Sequence, residues 1–285
     1  MIWKYDEKAP ILREHFWGHP RTCAYCRTHL WKLRQLPEVE IPDASIAIQS
    51  TDLFVCRACG WWKLERNVQA EFGTSHPFGG FWDRRNYGVT GALRSLDLSD
   101  LNLPIEEIRA YLMAKYTDRF DVHPRTFEEV VRDVMASLGY QARVTSYSND
   151  GGIDVVLDGP NSSTVGVQVK RWRQKIKVEQ IRAFLGALIL GGHTRGIFVT
   201  TSTFQTGASG VASKAAERAV PIELIDADRF YQALQLSQVN QFDPAKFHCE
   251  ASEFTSFEAL HLISYDSGGC SINKTYYVWG ETEDD

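Results

Sequence analysis

Two sets of residues in this chain have types and spacings that can do chemistry. The first is Asp154, Gln168 and Lys170, within the stretch GGIDVVLDGPNSSTVGVQVK from Gly151 to Lys170. Ile153, Val155 and Leu157 alternate with Asp154, Val156 and Asp158, as on a strand. Pro160-Asn161-Ser162-Ser163 supplies loop residues before a second strand, Thr164 to Lys170. Side chains two apart on a strand share a face, so Gln168 and Lys170 stand together while Val167 and Val169 face the other way. Hairpin pairing of the two strands brings Asp154 to the same surface. A carboxylate, an amide oxygen and an ammonium then converge, which suits a hard cation (Mg2+ or Mn2+) and a phosphate. In that scheme Asp154 and Gln168 are magnesium ligands, with the peptide oxygen of Val169 as a third. Lys170 holds the attacking water and offsets charge in the transition state. Glutamine in place of an acid removes one negative charge, so metal is expected to bind weakly without a substrate phosphate. A further acid should come from the preceding helix, as a ligand to a second metal or an orienter of water. Glu128 fits better than Glu129, which points toward solvent beside Arg132 and Asp133.

The residues after this site are basic. Lys170, Arg171, Arg173, Lys175 and Lys177 place five cations within eight residues, with Trp172 among them. Such a run can contact a nucleic-acid backbone, with Trp172 available for packing or stacking. A solvated charged edge is the bland alternative. It would not ordinarily sit beside three convergent groups of metal-binding type.

The second set is four cysteines in two C-x-x-C pairs, Cys23/Cys26 and Cys56/Cys59. RTCAYCRTH and FVCRACGWW each read as a tight turn presenting two thiolates, with Gly60 following the second pair. Four thiolates at this double spacing can close a tetrahedral structural zinc site, a ribbon-like module. The alternative is a coincidental set of reduced thiols. His15, His19 and His29 lie close enough in sequence to replace one cysteine but rank below it. Cys249 and Cys270 stand alone and read as buried, unreactive thiols.

At 285 residues the chain allows one to three domains and a sizeable core. Its 44% hydrophobic and 24% charged shares are ordinary for a globular protein. A net charge of −5 excludes a protein basic all over but permits a local basic stripe. The start, MIWKYDEKAP, has no apolar signal core, and the most apolar run, Ala183 to Leu190, is too short to span a bilayer. A soluble, cytoplasmic protein is expected.

The elements that must position these groups follow from the pattern. Residues 1–75 form a compositional unit holding the cysteine pairs and a strand at Ala44 to Ile48. A connector with a short helix spans residues 76–122, because Arg66 to Thr90 shows no clean period. Leu96 to Leu103 alternates like a strand, and Pro104 to Lys115 reads as a helix with Glu106 and Glu107 in its first turn. The main domain covers residues 123–237. It opens with a helix from Pro124 to Leu138, with Phe127, Val131, Val134 and Leu138 on one stripe. Strands follow at Ala142 to Ser146, Gly152 to Leu157 and Thr164 to Lys170. Next come a helix at Val178 to Leu190, a strand at Gly196 to Thr200 and a helix at Ser209 to Arg218. A strand at Ile222 to Ile225 and a helix from Ala227 to about Leu236 complete the order. Helices between strands predict an α/β (α+β) sandwich around a mixed sheet. Residues 238–285 are an extension of unknown role. Phe254 to Tyr265 reads as helical, Lys274 to Trp279 as a strand, and Glu281 to Asp285 as an acidic tail.

FEEVVRDVMASLGY, GGIDVVL, VGVQVKRW, KVEQIRAFLGAL and GIFVTTSTF, in this order from about His123 to Leu236, resemble the catalytic domain of Mrr-type restriction endonucleases. That family belongs to the PD-(D/E)xK nuclease fold, in a branch where glutamine replaces the second acid. The resemblance implies a metal-dependent endonuclease acting on double-stranded DNA, foreign or modified, in prokaryotic defence. Position by position it carries Glu128, Asp154, Gln168 and Lys170 over as catalytic residues, and Asp150-Gly151-Gly152 keeps the family's lead into its aspartate. Many members carry a winged-helix or other DNA reader, whereas this chain has the cysteine module, so no target sequence carries over. Two cuts in a duplex usually need two active sites, which implies a homodimer or larger assembly. Two other readings compete: a non-catalytic nucleic-acid-binding or assembly protein on the same fold, and a structure-selective nuclease such as a junction resolvase.

Overall fold

The computed structural model describes residues 1–6, 21–35, 44–72, 81–146, 151–159, 163–251, 261–266 and 269–272, and divides the chain into two units. The first comprises Met1–Ser95 with Asp243–Asp285, the second Leu96–Phe242. In the first unit, β1 (Trp3–Lys4) pairs with β6 (Ala92–Leu93). The strands β2 (Leu30–Gln35), β3 (Ala44–Cys56), β4 (Trp62–Phe72) and β5 (Phe81–Thr90) form an antiparallel meander. Leu53 lies opposite Leu64, which lies opposite Val89, and all three are buried with Val55, Trp61 and Trp62.

Two expectations are corrected in this unit. The strand expected at Ala44 to Ile48 runs on to Cys56, and Arg66 to Thr90, expected as a connector, supplies most of β4 and all of β5. The reason is a strand buried on both sides and carrying charge at buried positions, which erases period-two alternation. Lys63 is fully buried, with its ammonium 2.5 Å from Glu65 and 5.3 Å from the Phe54 ring centroid. Arg66 is buried as well and donates from Nε to Thr51 Oγ1 at 3.0 Å. Burial pulls both groups down from their usual range, Arg66 to about 10.

The second unit opens on turns rather than the strand expected at Leu96 to Leu103. Asp97 accepts from the Ser99 N–H at 3.0 Å and Asp100 from the Asn102 N–H at 2.9 Å. Aspartates closing turns on their own backbone defeat an alternation that reads as extended. Then come α1 (Ile105–Ala114), a 3-10 turn (Tyr116–Phe120) and α2 (Pro124–Ser137). Pro124 occupies the first turn of α2, and the N-cap His123 accepts from the Arg125 N–H at 3.2 Å. The buried face of α2 carries Phe127, Val130, Val131, Val134 and Met135.

From α2 onward the element order is the one the periodicities predict: β7 (Gln141–Val144), β8 (Val155–Asp158), β9 (Thr164–Lys170), α3 (Val178–Leu190), β10 (Arg195–Thr200), α4 (Ala208–Glu217), β11 (Ile222–Ile225) and α5 (Ala227–Gln241). The sheet order is β11-β10-β9-β8-β7, antiparallel from β7 to β9 and parallel from β9 to β11. This is the mixed-sheet α/β architecture expected. Val156, Phe198 and Ile222 of the sheet pack with Ile181, Phe184 and Leu188 of α3 and with Ala208 and Ala215 of α4. Phe127 of α2 and Phe230 of α5 meet at 5.4 Å between ring centroids. The buried Arg109 of α1 donates to Asp133 of α2 and Ser237 of α5, tying three helices through one charged group.

The chain returns to the first unit with α6 (Pro244–Ala251), β12 (His261–Asp266) and β13 (Gly269–Ile272). Strand β12 adds to β5, with Leu262 opposite Tyr87, so the end of the segment expected as a helix at Phe254 to Tyr265 is a strand. Its earlier part, the strand expected at Lys274 to Trp279 and the acidic tail lie outside the described residues. So do Asp150, Pro160 to Ser162, His15, His19 and the side chains of Cys249 and Cys270. Among the described residues no helix is long and apolar enough to cross a membrane.

Candidate functional site

Strand pairing assembles the Asp154 site. Val155 lies opposite Val167 in the β8–β9 ladder, and one residue outward the Asp154 N–H donates to the Val167 carbonyl at 2.8 Å. Asp154 therefore stands across from Gln168, and neighbours across a ladder share a face. Lys170 follows on that face two residues on. The Asp154 side chain is 7% exposed and accepts from the Val169 N–H at 2.6 Å, which fixes the carboxylate against β9. Gln168 and Lys170 are half-buried.

The double glycine before Asp154 has a physical role here. Gly151 and Gly152 have φ of +62° and +86°, left-handed values that a side chain rarely adopts. A Cβ on Gly152 would also stand 3.4 Å from the Gln168 amide nitrogen. This bend explains why β8 starts at Val155 and not at Gly152. It brings the backbone against the Gln168 side chain just before the carboxylate.

Glu128 sits on α2 and receives Arg125 Nη1 at 2.9 Å, while Arg125 Nη2 donates to the Thr145 carbonyl at 2.9 Å. Thr145 in turn donates from Oγ1 to the carbonyl oxygens of Ile153 and Asp154, at 2.7 and 3.0 Å. A chain of polar contacts thus connects Glu128 to the backbone of Asp154. Glu129 pairs instead with Arg132 at 3.0 Å. Sequence reasoning passed over Arg125, although its spacing of three from Glu128 on a helix is the signal for such a pair.

The basic run occupies the loop from β9 to α3, held by a hydroxyl-rich segment after β10. Thr200 Oγ1 donates to the Lys170 carbonyl at 3.0 Å, Thr201 Oγ1 to that of Trp172 at 3.0 Å and Ser202 Oγ to that of Arg173 at 3.2 Å. The Ile176 N–H donates to the Thr203 carbonyl at 2.9 Å. Arg171 turns inward and donates from Nη1 to the Phe120 carbonyl. Trp172, Arg173, Lys175 and Lys177 are exposed, Lys177 as the residue that starts α3. Phe120, Arg171, Trp172, Arg173 and Gln174 line a cleft of about 420 Å³. Phe120 lies outside every motif read from sequence, and only the fold brings it here.

The four expected cysteines meet in the first unit. Their sulfurs all lie within 4.8 Å of one another, and they are the only such group of His, Cys, Asp or Glu among the described residues. Separations are 3.6 Å for Cys23–Cys59, 3.3 Å for Cys26–Cys56 and 3.8 Å for Cys26–Cys59. A tetrahedron with metal–sulfur bonds of about 2.3 Å has edges of about 3.8 Å, so the set fits zinc. The two knuckles share their geometry. Arg27 N–H reaches the Cys23 carbonyl at 3.1 Å and Gly60 N–H the Cys56 carbonyl at 2.8 Å, with φ of +61° and +77°. His29 bridges to Thr22 instead of joining the cluster. Burial pushes the Cys23 and Cys59 thiols up, whereas hydrogen bonding with Cys23, Cys56 and Cys59 holds Cys26 down. The indole N–H of Trp3 donates to the Cys59 carbonyl at 2.6 Å and closes the module's base.

The family model of the Mrr catalytic domain, described as restriction endonuclease, matches residues 120–234. The type IV methyl-directed restriction enzyme EcoKMrr of Escherichia coli (strain K12) is 35% identical over 125 residues, 41% of this chain and 40% of that protein. An uncharacterised protein of Sinorhizobium fredii (strain NBRC 101917 / NGR234) is 31% identical over 105 residues, 35% of this chain and 27% of that protein. This chain therefore spans less than half the length of either relative. The solved structure of the DNA modification-dependent restriction endonuclease AspBHI aligns with a TM-score of 0.33 and 14% identity, over 65% of this chain and 60% of that one.

Proposed function

Residues 120–234 are an Mrr-type restriction endonuclease domain, and from that premise we propose that the protein hydrolyses phosphodiester bonds of double-stranded DNA. The observation that carries this reading is Asp154 opposite Gln168 across β8 and β9, with Lys170 on the same face. Foreign or modified DNA is the expected substrate and defence the expected setting, in the cytoplasm. The relative named as methyl-directed supports that choice.

The donor set at the strand pair is carboxylate, amide oxygen and peptide oxygen, which is chemistry for Mg2+ or Mn2+. Asp154 and Gln168 would hold the ion, with the Val169 carbonyl next to Gln168 in sequence as a third oxygen, and Glu128 would serve a second ion or a water. When bound, the ion supplies Lewis-acid stabilisation of the phosphate oxygens. The protein's own groups do the rest. Lys170 orients the attacking water and offsets charge developing on the phosphoryl group. The Val169 N–H keeps the Asp154 carboxylate from rotating, and Gly151-Gly152 sets its height on the sheet. Arg173, Lys175 and Lys177 meet the DNA backbone from an anchored loop, with Trp172 beside them for packing or stacking, and Arg171 braces that loop from within. The zinc module serves as a DNA-binding or partner-docking unit, and the enzyme works as a homodimer or larger assembly.

The test is cleavage of supercoiled plasmid, methylated and unmethylated, with magnesium or manganese, by wild type beside Lys170→Ala. Nicking or linearisation by wild type alone is the expected result. No cleavage of any substrate, or equal cleavage by both proteins, would overturn the reading.

A further inference from the structure

The cleft beside Phe120 has a lining that a phosphate-contacting loop does not require. We propose that it seats one unpaired nucleobase, stacked on Trp172, with the adjoining phosphate met by Arg173. This deepens the nuclease reading and rests on it for the identity of the polymer. The substrate class it names is DNA with an extruded or unpaired nucleotide near the cut.

The first support is the state of Trp172. A tryptophan has a large apolar surface to hide, yet this one is 43% exposed. Looseness is not the cause. The carbonyls of Lys170, Trp172 and Arg173 are each held by a hydroxyl of Thr200, Thr201 or Ser202. The indole is presented by an anchored backbone, as a stacking platform needs to be.

The second support is the rest of the lining. The Phe120 carbonyl holds Arg171, and the Phe120 ring carries the guanidinium carbons of Arg119 and Arg173 at 4.2 and 4.3 Å from its centroid. Arg119 is tied further, donating from Nε to the Thr201 carbonyl at 3.0 Å. The cations around the cleft are therefore ordered before any ligand arrives, which lowers the entropy lost on binding.

The third support is chemistry and size. The volume of about 420 Å³ falls within the roughly 300–1,000 Å³ typical of small-ligand sites. A nucleobase uses each part of the lining: an aromatic face for its ring, flat guanidinium groups, and the Gln174 amide for its edge. Asp121 lies 3.8 Å from Arg173 and reduces the local positive charge. That favours one nucleotide over a tract of phosphates. The loop starts one residue after Lys170, so a base held here belongs to DNA lying close to the site of hydrolysis.

The experiment measures binding without divalent metal, so cleavage plays no part in it. Labelled oligonucleotides are titrated by fluorescence anisotropy as a single strand, a duplex with one central unpaired base, and a fully paired duplex. Wild type, Trp172→Ala and Trp172→Phe are compared, with circular dichroism to check folding. Wild type should bind the single strand and the bulged duplex more tightly than the paired duplex. Trp172→Ala should weaken the first two by about 5- to 150-fold, the span of one stacked base, and erase the preference. Trp172→Phe should keep most of it. Equal affinity of wild type for paired and unpaired DNA would overturn the proposal, as would a preference unchanged in Trp172→Ala. Plasmid cleavage is scored separately. A Trp172-dependent preference in a protein that never cuts keeps the pocket and removes the nuclease, and cutting without the preference does the reverse.

Discussion

The cysteine cluster and the Asp154 strand pair each gather distant residues into one small site, and they do so by different physics. The cluster joins Cys23 and Cys26 to Cys56 and Cys59 through two tight turns, each closed by two backbone hydrogen bonds and holding one left-handed residue. Its four buried sulfurs would repel one another as thiolates without a cation among them. The strand pair stands on a ladder backed by Phe184, Phe198, Val156 and Ile153, whose burial does not depend on any ion. The cluster is expected to need a metal to hold together, and the strand pair to need one only to act. The two can therefore be broken separately.

The largest effect should come from the cluster. Removing zinc with a chelator, or replacing Cys56 by Ser, should unfold the first unit, because metal binding to such sites is worth on the order of 10 kcal/mol. Elemental analysis should find about one zinc per chain beforehand, and hydrogen exchange should show β3 and β4 losing protection while β8 to β10 keep theirs. Loss of protection in both sheets together would refute the separation.

Next in size is the proposed catalytic strand pair. Asp154→Asn keeps the shape and an acceptor for the Val169 N–H but removes the charge. DNA cleavage should fall by about 10³-fold or more, with the denaturation midpoint nearly unchanged. A variant that loses stability in step with activity would make Asp154 a structural residue. Gly152→Ala should sit between the two kinds of effect. Forcing a left-handed backbone on a residue with a Cβ costs about 1–2 kcal/mol. The strain falls just before Asp154 and beside the Gln168 amide, so stability and cleavage should drop together in urea melts and plasmid assays.

The smallest effect concerns pH. His193 shares a 2.8 Å hydrogen bond with Thr164 Oγ1, and burial, helped by the Arg143 charge, lowers its pKa below the usual 6.5. The unfolded chain then takes up the proton first as pH falls. The stability His193 contributes is complete above 6.5 and declines as pH drops below it toward the lowered value. His193→Gln should flatten that slope, measured as the denaturant midpoint against pH. An unchanged slope would assign it to other groups.

Much of this molecule was legible in its residues. Both C-x-x-C pairs, the strands Thr164–Lys170 and Ile222–Ile225, the helix Val178–Leu190 and the alternation of helix and strand after His123 are local patterns, and local patterns survive folding where one face is buried and the other wet. They failed where that condition fails. Lys63 and Arg66 are charged yet buried, so β4 carried no period. Asp97 and Asp100 bond their own backbone, so an alternating sequence became turns.

The sequence by itself determined which groups are available and at what spacing: Asp154, the Gln-x-Lys strand, four thiolates and a basic run around Trp172. Periodicity and turn chemistry act over a few residues and can be read from the chain alone. Tertiary structure decided what those groups face. It set Asp154 across from Gln168 with a Val169 N–H on its carboxylate, tied Arg125 to Glu128 and Thr145, and brought Phe120 from fifty residues upstream against Arg171 and Arg173. Such contacts depend on strand register and helix docking, which the whole core settles at once and no short stretch contains.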